Sequence, residues 1–189
     1  MNLPYDYLTI FDISKQLTNH TIILKVENLL ISQTMKEPKI AFTFIRKHDP
    51  NTKGTYAKFY LDVGEASLLA QKILTNPTNG FRHQISKGNR RNDNSIESRI
   101  FSIEVQSKHR GNKDEIQTIL RAEKFEGEIT KYITVNNKEI PSEFRPKIGH
   151  PPLFSAVLTL SLDETVYLAT AINFEIMAWR VYIMQNCKS

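Results

Sequence analysis

Residues 154–185 read FSAVLTLSLDETVYLATAINFEIMAWRVYIMQ, and they decide the fold because the apolar period changes partway along. Ala156, Leu158, Leu160 and Leu162 fall on one side of an alternating run, with Val157, Thr159 and Ser161 on the other. That is the period of a strand. Ser161 stands three residues before Glu164, the spacing in which each side chain satisfies a backbone amide left open at a helix start. From Asp163 onward no Pro or Gly interrupts the run. Val166, Ala169, Ile172, Ile176, Trp179 and Ile183 follow helical spacing, and Tyr167, Ala171, Phe174, Ala178 and Tyr182 form an adjoining stripe. A helix apolar over so much of its circumference needs more than one layer of protein to cover it.

The same unit occurs earlier. A shift of 99 residues sets 57–74 (AKFYLDVGEASLLAQKIL) against 156–173 (AVLTLSLDETVYLATAIN). Ala57/Ala156, Leu61/Leu160, Glu65/Glu164, Leu69/Leu168, Ala70/Ala169 and Ile73/Ile172 are identical pairs. Asp62 precedes Glu65 by three residues, as Ser161 precedes Glu164. Shared leucines alone would be weak evidence, but strand phase and cap recur together, so we read an internal duplication.

Read in order, 5–12 alternates loosely, and 21–31 and 39–47 are strand candidates. Residues 48–54 (HDPNTKG) have turn composition and join 39–47 to 55–62, after which the first helix runs to about residue 75. Residues 76–97 are polar, basic and turn-rich, the expected linker between halves. Strands are expected at 98–108, 116–125 and 128–135, with a helical alternative for 115–126 because Ile116, Ile119, Leu120 and Glu123 also fit a 3.6 period. Residues 136–152, with four prolines, read as an irregular arm. The expectation is an α+β protein, a single domain over 1–189 built of two ββββα repeats at 5–75 and 98–186 joined by the linker 76–97.

This arrangement resembles the Whirly-type fold, which is similar to that of single-stranded-DNA-binding transcriptional coactivators and of kinetoplastid mitochondrial guide-RNA-binding proteins. The resemblance covers about residues 7–185 and is carried by 57–74 and 156–173. The Lys-Gly-Lys-Ala-Ala-Leu motif of plant Whirly proteins is absent, so their contact residues are not transferred. The resemblance implies sheets that bind single strands and helices that form an oligomer core. Self-association as a dimer or tetramer is therefore expected through Val166, Phe174, Ile176, Trp179 and Ile183.

A net charge of +5 and a pI near 9.2 lean toward a polyanionic partner. Single-strand binding without sequence preference needs cations along the phosphates and aromatic faces for the bases. Both interleave here. The candidate contacts are Lys58, Tyr60, Phe81, Arg82, His83, Lys87, Arg90, Arg91, Arg99, Lys108, Arg110, Lys113, Arg121, Lys124 and Tyr132. Lys58 and Tyr60 alternate with apolar Ala57, Phe59 and Leu61, and so share an outward face. The expected partner is single-stranded DNA or RNA, DNA foremost.

Other chemistry is poorly signalled. Cys187 is the single cysteine, which excludes an intrachain disulfide. The five histidines show no pair at metal-ligand spacing, and the seven glycines never cluster into a phosphate loop. Glu104, Glu123, Glu126 and Glu128 leave a metal-dependent nuclease as an alternative, and the apolar C-terminal helix leaves a non-catalytic protein-interaction subunit as another. The expectation is a non-enzyme with no metal or cofactor. Residues 1–12 lack a signal-peptide pattern, and Asn173, Glu175 and Arg180 break the last helix as a membrane span. A cytoplasmic or nucleoid-associated setting is expected.

Overall fold

Alternation of large apolar side chains builds the first sheet. A computed structural model describes residues 8–31, 37–48, 54–78, 80–90, 95–110 and 113–186, with 108–110, 113 and 114 as backbone only. Strands β1 (Leu8–Gln16), β2 (Thr21–Leu29), β3 (Lys39–Lys47) and β4 (Thr55–Asp62) form an antiparallel meander in chain order, sheet A. Register aligns Val26, Phe42 and Phe59 in one row and Leu24, Phe44 and Ala57 in the next, all buried. One-sided burial of this kind holds register, since a one-residue slip would turn every phenylalanine to solvent.

Helix α1 (Val63–Thr75) starts where the sequence signals it. The Asp62 side chain accepts from the Glu65 amide at 2.8 Å, and the Glu65 carboxylate accepts from the Asp62 amide at 3.0 Å. The second unit repeats this. Its last strand, β9 (Phe154–Ser161), runs into α2 (Leu162–Asn186), with Ser161 Oγ and the Glu164 carboxylate exchanging the same two bonds at 3.2 and 2.8 Å. Both strand bounds and both helix starts are offset by 99 residues, so the strand–cap–helix unit recurs at the offset at which the sequence repeats its pattern.

The second sheet departs from expectation in where its strands lie. Residues 76–97 are not simply a linker: β5 (Phe81–Arg90) sits inside them and pairs along its length with β6 (Ile96–Arg110). The stretches 116–125 and 128–135 are one strand, β7 (Lys113–Val135), which runs on through Gly127. There a Cβ would meet the Ser98 amide nitrogen at 2.8 Å, so only glycine permits that approach. The helical alternative for 115–126 gives way because β7 is central. It pairs with β6 on one side and β9 on the other, which turns Leu120 and Ala122 into the core. Sheet B is therefore β5-β6-β7-β9, the same meander as sheet A. The expected irregular arm holds a further strand, β8 (Lys138–Pro146), paired to the far half of β7. Asn136 and Asn137 make the turn with φ of 49° and 59°, the left-handed conformation that asparagine tolerates in tight hairpins.

One hydrophobic core joins everything. Phe101 of β6 places its ring 5.1, 5.9 and 5.7 Å from those of Phe42, Phe44 and Phe59 of sheet A. Leu69, Ala70 and Ile73 of α1 and Leu168, Ala169, Ile172 and Ile176 of α2 complete it, and the two helices pack together. An ion pair from Lys15 to Glu164 and a 2.6 Å bond from Asn28 Nδ2 to Glu175 tie α2 to sheet A. Among the described residues no helix is long and apolar enough to cross a membrane.

Candidate nucleic-acid interface

The alternation that buries Ala57, Phe59 and Leu61 turns Tyr56, Lys58 and Tyr60 outward on β4, an edge strand of sheet A. Tyr56 is 60% exposed. The Lys58 ammonium lies 5.6 Å from the Tyr60 ring centroid, a cation–π contact. Register sets Asp12, Lys25, Thr43 and Lys58 in one row across the four strands. Lys58 pairs with Glu27 at 2.7 Å, Thr43 Oγ1 donates to Glu27 at 3.3 Å, and Lys25 lies 3.6 Å from Asp12. Lys25, Glu27, Thr43, Ile45, Lys47, Tyr56 and Lys58 line an open groove of about 630 Å³ on this face.

A second cleft, about 420 Å³, lies where β4 meets sheet B and is lined by Tyr56, Lys58, Tyr60, Asn89, Glu97, Arg99 and Lys124. Lys87, Arg99 and Lys124 occupy one cross-strand row there, one step beyond the apolar row of Ile85, Phe101 and Ala122. Arg99 bridges the sheets, donating Nη1 to the Lys58 carbonyl at 2.9 Å and pairing with Glu97. Glu97 is 2% exposed, and Lys124 lies 3.9 Å from it. A carboxylate so buried needs compensating cations, so Arg99 and Lys124 serve the fold as well as the cleft. Lys87 donates to both Glu65 oxygens, at 2.8 and 2.7 Å, and thereby ties β5 to the first turn of α1.

Lys58, Tyr60, Arg99 and Lys124 thus come together, with Lys87 on the same sheet B row. The remaining expected contacts scatter. Phe81 packs against the core, and His83 is half-buried on the inward side of β5, so neither joins the cleft. Burial, then the Lys72 charge, hold the His83 imidazole below its usual pKa, against an opposing pull from Glu65. Arg82, Arg90 and Arg121 are exposed on the opposite face of sheet B, and Tyr132 is 51% exposed on the β7–β8 arm. Arg91 and the side chains of Lys108, Arg110 and Lys113 lie outside the described residues. Asn89, Glu97, Lys25 and Glu27 were not singled out by sequence reasoning. Lys25 and Glu27 come alongside Lys58 through the register of β2, β3 and β4.

The expected helix interface divides similarly. Ile176 is 1% exposed, and Trp179 is partly buried against the core of its own subunit. That placement spends Ile176 on the core and leaves part of Trp179 open. Val166 is half-buried, whereas Phe174 is 69% and Ile183 37% exposed.

Among the described residues no three His, Cys, Asp or Glu side chains are grouped to hold a metal ion. No family model, curated protein or solved structure matches the chain.

Proposed function

We propose that the protein binds single-stranded DNA or RNA on the outward face of sheet A, as a homo-oligomer of Whirly-like arrangement, with little sequence preference. One observation carries the reading: Tyr56, Lys58 and Tyr60 form an aromatic–cation–aromatic row on the outward face of the edge strand β4. The tyrosines stand four positions apart, roughly 13 Å along a strand, so each ring offers its own stacking platform. Lys25 and Lys47 border the groove on one side of the row, and Arg99 and Lys124 the cleft on the other. Because Glu27 and Glu97 neutralise part of this charge, an incoming phosphate must compete with fixed carboxylates. Binding is therefore of modest affinity and strongly salt-dependent.

The test is an anisotropy titration with single- and double-stranded oligonucleotides at two salt concentrations. Tyr56→Ala and Tyr60→Ala should each weaken single-strand binding by about 1–3 kcal/mol at both salts. Lys47→Ala should leave stability unchanged and flatten the log–log salt slope by roughly 0.7. A wild type that binds no single strand at low salt, or tyrosine variants that bind like wild type, would overturn the proposal.

A further inference from the structure

Arg46 sits on the opposite side of β3 from the groove. It shares the parity of the buried Phe42 and Phe44, whereas its neighbour Lys47 lines the outward groove. At this end of sheet A the register pairs Arg46 with Ile22 and Lys47 with Thr21, which brings His20 and His48 together just beyond the last pair. Their ring centroids are 6.0 Å apart and the rings are tilted by 52°. His20 and Arg46 are half-buried, and His48 is exposed.

Polar atoms here are short of partners. Arg46 donates Nη1 to the Ser155 carbonyl at 3.4 Å, longer than an ordinary hydrogen bond. Arg46 Nε and His20 Nδ1 are buried with no hydrogen-bond partner among the described residues. Half-buried cations elsewhere are compensated: Lys15 meets Glu164, Lys87 meets Glu65 and Arg99 meets Glu97. Burial, then the charge of Arg46, then that of His48, lower the His20 pKa from its ordinary value, and no carboxylate opposes them among the described residues. A half-buried charge without a counter-charge is costly, and such clusters are where a ligand of opposite sign is accommodated.

We propose that Arg46, His20 and His48 form a binding site for a phosphate group. The guanidinium is a planar fork matched to phosphate oxygens. The two imidazoles add nitrogens from other directions, which a tetrahedral anion meets better than a planar carboxylate does. An oxygen accepting from one nitrogen of each ring at about 2.8 Å fits between centroids at this spacing. Two sources supply such a group: the terminal phosphate of a single strand leaving the groove past Lys47, or a free phosphate or small phosphoester. None of the three residues lines the groove or the cleft, so the site stands independently of strand binding.

The experiment follows the imidazole Cε1 protons by NMR as inorganic phosphate replaces chloride at constant ionic strength, on the full chain without nucleic acid. The chain has five histidines, so the others serve as internal controls. His20 and His48 should shift together and saturably, and the others little. Arg46→Gln should abolish the saturable shift. His48→Asn, at an exposed position that tests the site whatever Arg46→Gln does to the fold, should weaken binding about three- to tenfold, the worth of one hydrogen bond. A second arm compares single strands ending in a 5′-phosphate, a 3′-phosphate or hydroxyls. Tighter binding of one phosphorylated end, lost in His48→Asn, assigns the site to a strand terminus; equal binding of all three, with the response to inorganic phosphate intact, assigns it to a free phosphate or small phosphoester. His20 and His48 resonances that ignore phosphate in wild type, or a response that His48→Asn and Arg46→Gln leave unchanged, would overturn the proposal without touching the reading of the outward face.

Discussion

Replacing Phe101 by alanine tests whether the two repeats are one cooperative unit. Phe101 is fully buried, and its ring meets the rings of Phe42, Phe44 and Phe59 across the sheets. Removing a buried phenylalanine costs about 3–5 kcal/mol, more where the walls cannot close in. Here the walls are strands held by ladders on both sheets, and three ring contacts vanish at once, so the upper end applies, about 4–5 kcal/mol. That is a large part of the roughly 5–15 kcal/mol by which a domain is stable. Urea unfolding should be followed by Trp179 fluorescence, which reports on the second unit, and by far-ultraviolet circular dichroism, which reports on both. With a slope of about 2 kcal/mol per molar, the midpoint should fall by about 2 M, in one transition seen alike by both probes. Phe81→Ala, at a partly buried position on the edge strand β5, should cost clearly less. A loss below about 2 kcal/mol for Phe101→Ala, or two resolved transitions in wild type, would refute the idea that this ring couples the halves.

At Gly88 an added Cβ would sit 1.8 Å from Phe144 Cγ, so Gly88→Ala should destabilise by about 1–3 kcal/mol through overpacking. Adding Phe144→Ala should recover most of that loss, and thermal midpoints that are additive around the cycle would exclude the contact. At Glu164, burial pushes the carboxyl up, but hydrogen bonds from Lys15 and the Ser161 amide, with the Lys15 charge, hold it below its ordinary value of 4.5. A carboxyl depressed in the folded state contributes stability above its unfolded pKa and loses it as pH falls through the folded one. The thermal midpoint should therefore decline below pH 4.5, and less steeply in Glu164→Gln than in wild type; parallel acid limbs would rule this out.

The repeated unit was legible because two independent signals coincided, a strand parity and a reciprocal cap, and both survive in the structure at the same offset. Strand β5 was not legible. It is an edge strand on which Ile85 alone is buried, so its sequence shows no apolar alternation and resembles a basic linker. The positions of Phe81 and His83 were lost with it, since parity cannot be applied to an unrecognised strand. Strand β7 looked like two strands because Gly127, which permits close approach to Ser98, reads in sequence as a break. In the candidate interface, parity correctly turns Lys58 and Tyr60 outward. Their carboxylate partner could not be seen, because Glu27 reaches Lys58 through the pairing of three strands rather than through any local spacing.

The two repeats share a core and diverge at their surfaces, and folding energetics explain where. In the first unit the helix stops once Ile73 has reached the core. In the second, ten helical residues follow Ile176, and all but Trp179 and Tyr182 among them are exposed. Ordering each backbone residue costs about 1–2 kcal/mol, and helices shorter than about 12–15 residues are marginal in water. Continuity with the buried turns nucleates this extension, but its own subunit covers little of it. Its exposed side is apolar and evenly spaced, whereas a segment kept only for solubility would be charged there. The β7–β8 arm poses the same problem in another form. A two-stranded ribbon is marginal alone, and this one is anchored at its base, where Phe144 rests on Gly88, while Tyr132, Ile133, Val135 and Ile140 stay exposed beyond it. The first unit turns polar and aromatic groups outward on its sheet and exposes scattered apolar side chains such as Leu68 of α1. The second exposes evenly spaced apolar side chains on α2 and a further group on the β7–β8 arm, surface that its own core does not use.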